Sequence, residues 1–172
     1  MAHNGNITDF PELREELVGR VAPVLRRFIL GETDSEVLFY LILSKMAQRC
    51  ELERRGYPLE DLAAACREAV NEVVALAGDL CERDDAEPHN NFLTFVVTNG
   101  RAMIAHQGGK TLYCSTHKER CSERDRCPHY APECEREQDR GFVSHLIFSS
   151  EPLSGENVWR PMEHRGMIGV DW

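Results

Sequence analysis

Apolar positions along the first half of the chain recur every three or four residues. Leu13, Leu17, Val18 and Val21 form one such stripe, opened by Asp9, Pro11 and Glu12 and limited by Pro23, which predicts an amphipathic helix. A short segment over residues 24–30 leads to Gly31. Val37, Leu38, Leu41, Ile42 and Met46 then predict a helix over about residues 34–51, and Thr33 with Glu36 has the spacing of a capping box at its start. Gly56 and Pro58 stop and restart the chain. Beyond them Leu59, Leu62, Cys66, Val70, Val73, Ala77 and Leu80 predict a long helix over about residues 59–81, followed by a solvated loop at 83–88.

The period then changes to two. Residues 92–97 are rich in β-branched and aromatic side chains, Asn99-Gly100 is a hairpin signal, and residues 102–106 return. Gly108-Gly109 and residues 111–113 extend this into an expected three-strand antiparallel meander, with further strands over 142–148 and 167–170. Helices first and strands afterwards indicate an α+β fold, helices packed on an antiparallel sheet.

Composition narrows the function classes. The 172 residues have the length of one domain, and the net charge of −9 disfavours nucleic acid and anionic membrane as partners. No apolar run approaches a membrane span and no leader resembles a signal peptide. Seven cysteines is an odd number, and Cys50, Cys66 and Cys81 fall in helical patterns; a reduced, cytoplasmic setting suits them better than a disulfide framework.

Two stretches carry candidate chemistry, Met1 to Ile7 and Gly31 to Glu36. The side-chain amide of Asn4 and the backbone N–H of Gly5 are the donors an oxyanion hole needs. Asp34, in the first turn of its predicted helix, can hold a substrate ammonium. His3 stands beside the oxyanion residues and is expected to fix their loop by hydrogen bonding, on the substrate-binding side with Asp34. Read bottom-up, Asn-Gly is above all a turn dipeptide, and Asp34 above all a partner of the helix dipole.

The stretch Ala2-His3-Asn4-Gly5-Asn6-Ile7, followed by Phe10, Leu13-Arg14, Thr33-Asp34-Ser35-Glu36 and Leu38-Phe39, resembles the class II, N-terminal-nucleophile glutamine amidotransferases. The run from Phe142-Val143 through Ser150-Glu151-Pro152-Leu153 to Trp159 resembles later strands of the family's stand-alone members. The resemblance implies the later part of an αββα sandwich, Asn4 and Gly5 as the oxyanion hole, and Asp34 on the α-amino group of glutamine. It implies hydrolysis of glutamine or a γ-glutamyl amide through a cysteine thioester, with no cofactor and ammonia released or passed to a synthase partner subunit. The family's nucleophile is an N-terminal cysteine, and its members carry an arginine for the glutamine carboxylate ahead of the HNG motif. Here Met1 lies two residues before His3, with Ala2 between them, so the expectation is a single partial domain over residues 1–172 that lacks the nucleophile, with its activity left open. The alternative is a non-catalytic ligand-binding or zinc-stapled interaction module.

The remaining chemistry is a Cys/His-rich insertion at about residues 114–140. Cys114, His117, Cys121, Cys127, His129 and Cys134 fall within 21 positions, and four of them could close a structural zinc site. Their gaps match no finger spacing, which leaves free thiols or an oxidised pair as the other reading. His106 and His145 are expected on strands as structural residues. Ser149-Ser150-Glu151 lacks a nucleophile elbow and reads as a strand end walling the glutamine site.

Overall fold

The computed structural model describes residues 1–82, 90–138 and 140–171; the loop expected at 83–88 lies outside them. In chain order the elements are β1 (Ala2–Asn6), α1 (Phe10–Arg20), α2 (Pro23–Arg26), α3 (Asp34–Ala47), α4 (Leu59–Ala77), β2 (Phe92–Thr98), β3 (Ala102–His106), β4 (Tyr113–Ser115), β5 (Ile147–Ser149), β6 (Arg160–Pro161) and β7 (Met167–Asp171), with a 3-10 turn at Pro132–Glu135. They form two compact units, Met1–Lys110 with His164–Trp172, and Thr111–Glu163. No described helix is long and apolar enough to cross a membrane.

The first unit holds a four-stranded antiparallel sheet in the order β1-β2-β3-β7. Its register sets His3 opposite Phe95, Gly5 opposite Leu93 and Val97 opposite Ile104, so these share one face. That face is covered by the helices. Leu93, Phe95, Val97, Ala102 and Ile104 pack in one cluster with Leu17, Leu38, Leu41, Ile42, Cys66, Ala69 and Val73, the inward stripes of α1, α3 and α4. Each fully buried Leu, Ile, Val or Phe contributes roughly 1.5–3 kcal/mol of transfer free energy.

Local chemistry sets the element ends. Thr33 Oγ1 accepts the Glu36 N–H at 3.3 Å, as the capping box predicts, but the Glu36 carboxylate turns to the amides of Leu30 and Gly31, at 3.0 and 2.6 Å. The Asn99-Gly100 hairpin is present. Gly100 takes φ +83°, and Asn99 Oδ1 accepts both the Arg101 and Ala102 amides at 2.9 Å.

The structure corrects the sequence reading in five places. The HNG stretch is strand β1 rather than a loop or turn, because β2 offers it a pairing edge. Tyr113 does not continue the meander. β4 pairs with β5 and β6 in a separate sheet of the second unit, and the strand beside β3 is β7. The strand expected over 142–148 is confined to Ile147–Ser149, leaving His145 outside any strand. Helices α3 and α4 end at Ala47 and Ala77, the latter because Gly78 takes φ +87°. Cys50 and Cys81 therefore lie beyond them.

Candidate active site

Strand β1 is an edge of its sheet, and what holds it there is a cluster of polar groups supplied by the start of α3. Asp34 Oδ2 accepts the Ile7 backbone N–H at 2.9 Å, and Oδ1 accepts the Ser35 N–H at 2.6 Å. Ser35 Oγ also approaches Oδ1 at 3.2 Å. His3, its side chain only 1% exposed, lies with Nδ1 2.9 Å from Ser35 Oγ and Nε2 3.3 Å from the Phe92 carbonyl. The carbonyl can only accept, so Nε2 carries a proton. In neutral His3, Nδ1 then competes with Asp34 for the single Ser35 hydroxyl hydrogen. Burial lowers the His3 pKa, and Asp34, at 4.0 Å, opposes that shift.

Gly5 is required by packing. A Cβ there would stand 2.1 Å from the Phe92 carbonyl oxygen, so only glycine lets β1 seat against β2. The missing side chain is thus spent on the neighbouring strand. Asn4 alternates to the opposite face from His3 and Gly5. It is exposed, and its amide makes no hydrogen bond to a described residue.

Directly across from Asn4 is Thr94, a residue the sequence reading did not single out. Its buried hydroxyl donates to Lys110 O at 2.7 Å and accepts the amides of Gly108 and Lys110 at 3.0 and 3.1 Å. This clamps the loop after β3 to β2. Gly108 fits because a Cβ would meet Leu93 O at 2.4 Å. His106 is buried, Nδ1 donates to Leu93 O at 2.7 Å, and burial pushes its pKa down to about 4. It is the neutral structural residue expected on a strand.

Of the residues proposed from sequence, the structure joins His3 and Asp34 through Ser35 and the end of β1. The Asn4 side chain stands apart from that network, on the other sheet face. Ser35 and the Phe92 carbonyl were missed as parts of it. The signal for Ser35 was its place inside the same four-residue motif as Asp34; Phe92 O, a main-chain atom 89 positions away, had none.

The second unit places the cysteine and histidine residues of the insertion. Among the described residues no group of three or more His, Cys, Asp or Glu could hold a metal, and none of the seven cysteines forms a disulfide there. Two of the insertion's thiols have basic neighbours. Cys114 is buried with its Sγ 3.3 Å from Arg160 Nε, and Cys121 Sγ lies 3.8 Å from Lys118 Nζ, so cations occupy the approach to these sulfurs. Lys118 also pairs with Glu156 at 3.0 Å, and hydrogen bonds from Ser122 and Lys118 hold that carboxyl down to about 2. His117 and His145 each keep one buried ring nitrogen without a partner, while His129 is exposed. Ser149 ends β5 and its Oγ accepts the Glu151 N–H at 3.4 Å.

Comparison with known proteins places this geometry in a family. A family described as class II glutamine amidotransferases matches residues 1–169. A Saccharomyces cerevisiae protein named "Probable glutamine amidotransferase DUG3" is 27% identical over 110 residues, which is 59% of this chain and 29% of that protein. Two solved structures share the fold. A class II domain protein from Silicibacter pomeroyi aligns with TM-score 0.58 and 20% identity over 99% of this chain and 62% of its own. A predicted glutamine amidotransferase from Pseudomonas aeruginosa aligns with TM-score 0.55 and 18% identity over 99% and 56%. The chain thus spans under a third of the yeast relative and about three fifths of the two structures.

Proposed function

This chain belongs to the class II glutamine amidotransferases, and on that premise we propose that β1 and the start of α3 form the oxyanion and substrate-orienting part of a site that hydrolyses the side-chain amide of glutamine or a γ-glutamyl amide. One observation supports this above the rest. Two motifs about thirty residues apart are tied together by the Ile7 to Asp34 and His3 to Ser35 hydrogen bonds.

In this reading a cysteine thiolate attacks the amide carbon, and the carbonyl oxygen, gaining charge, is received by the Asn4 amide and the Gly5 N–H. Ammonia departs, to solution or to a synthase partner, and water then cleaves the thioester. Asn4 is suited to its part because its amide is exposed and uncommitted. Asp34 orients the substrate ammonium. A carboxylate offers about four acceptor positions, and the contacts to Ile7 N, Ser35 N and Ser35 Oγ occupy three. His3 positions Ser35 and Asp34 and does not touch substrate. Cys66 is unsuited as nucleophile, since burial pushes its thiol up to about 12.

The engagement of Asp34 favours a second reading, in which the carboxylate is a structural tie and the domain holds a ligand without turning it over. Ammonia release from glutamine, measured on the protein produced from its own gene, separates the two. Catalysis predicts that Asn4→Ala lowers turnover by about 10²–10³ while glutamine binding persists. Glutamine binding with no ammonia release by the unsubstituted protein selects the second reading.

A further inference from the structure

Toward the far edge of the first unit's sheet, the segment between α3 and α4, the β2–β3 turn and the end of β7 border an open cavity of about 490 Å³, lined by Arg54, Gly56, Tyr57, Pro58, Arg101 and Asp171. Since the strand order is β1-β2-β3-β7, Asp171 on β7 stands three strand spacings, roughly 14 Å, from β1. The cavity takes no part in the proposed hydrolysis. Its size lies within the ~300–1,000 Å³ typical of small-molecule sites.

The charges in it are the unusual feature. Arg54 and Arg101 are exposed, and neither guanidinium has a hydrogen-bonded or ion-paired acceptor among the described residues. Tyr57 gives its hydroxyl to the Leu52 carbonyl, so the ring is left as an apolar wall. Arg54 lies close enough for its charge to act on that hydroxyl. Pro58 is the N-cap of the 19-residue α4, so the positive end of that helix opens beside the cavity, offset by Glu60 and Asp61 in its first turn. Asp171 contributes a single negative charge.

We propose that this cavity binds an acidic α-amino acid, a small molecule carrying two carboxylates and one ammonium. The two guanidinium forks match two carboxylates, each able to form paired N–H···O bonds, and Asp171 accepts the ammonium. The opposed signs complete the argument. Two cations and one anion complement a ligand of net charge −1, whereas a phosphate dianion would leave the site with excess negative charge beside Asp171 and offers it one P–OH in place of an ammonium's three N–H donors.

The test is a titration of the isotope-labelled full chain, followed at the amides of Gly56, Tyr57 and Arg101, with L-glutamate, glutarate and inorganic phosphate as probes. Saturable shifts at those amides with L-glutamate are expected. Arg101→Ala and Arg54→Ala should each weaken glutamate about tenfold. Asp171→Asn should weaken glutamate similarly and leave glutarate, which has no ammonium, unchanged or tighter. The proposal is overturned if these amides do not respond up to roughly 10 mM, or if glutarate or phosphate binds as tightly as glutamate and Asp171→Asn makes no difference. Responses confined to Asn4, Gly5 and Asp34 also overturn it, and would leave the reading of β1 standing.

Discussion

His106 ties the stability of the first unit to pH in a way that can be worked through. Its ring is buried against Phe95, with centroids 5.2 Å apart, and Nδ1 donates to Leu93 O. Burial is the largest cause of its low pKa; the Leu93 bond opposes the shift, and His164 and Arg165 add to it. In the unfolded chain the group titrates near 6.5, and in the fold near 4. Between those values the unfolded state binds the proton and the native state does not, so stability falls with acidification across that window and levels off below it. The loss attributable to this group is about 2 kcal/mol at pH 5 and about 3 kcal/mol near pH 4. Urea denaturation at pH 7, 6, 5 and 4 measures it, with His106→Gln as reference, because the Gln amide can still donate to Leu93 O without titrating. His3 and His145 shift in the same direction, but they are present in both proteins and cancel in the difference. Stability curves that run parallel in the two proteins from pH 7 to 4 would refute the assignment.

Three further expectations follow from single contacts. Gly5→Ala places a Cβ against the Phe92 carbonyl and should cost about 1–3 kcal/mol in thermal or urea unfolding, with hydrogen exchange accelerated along the β1–β2 ladder; an unchanged ladder would show that the strand has room. Thr94→Val keeps the shape and removes the hydroxyl on which the 108–110 turn depends. A loss of about 2 to 4 kcal/mol is expected, and retained exchange protection at the Gly108 and Lys110 amides would contradict the clamp. Cys66, with its thiol pushed up to about 12, should resist iodoacetamide at pH 8 in the native protein while the partly exposed Cys127 reacts; equal labelling of the two by mass spectrometry would contradict the burial.

The helical half was legible because periodicity reports burial directly. Leu17, Val37, Leu38, Leu41, Ile42, Cys66 and Val73 all fall in the core where the three-to-four spacing put them. The Asn99-Gly100 hairpin was legible for the same local reason. Strand β1 was not, because five polar or small residues carry no alternation of their own and become a strand only when β2, about ninety positions later, presents an edge. Tyr113–Ser115 was drawn to its own sheet by β5 and β6, partners too short to register as periodic runs. At the site, motif spacing identified Asn4, Gly5, His3 and Asp34 as a set, but not the division the pleat imposes on them, with His3 facing the helices and Asn4 turned away. The basic neighbour of Cys114 had no local signal, as Arg160 comes to it only in three dimensions.

The Asp34 carboxylate that fastens Ile7 has one consequence for any cation arriving at it. A rivet with one position to spare can also serve as a handle, and an ammonium that drew those oxygens outward would slacken the strand bearing Asn4 and Gly5 in the same movement. Occupancy at Asp34 would therefore be felt along β1 as a change in tension.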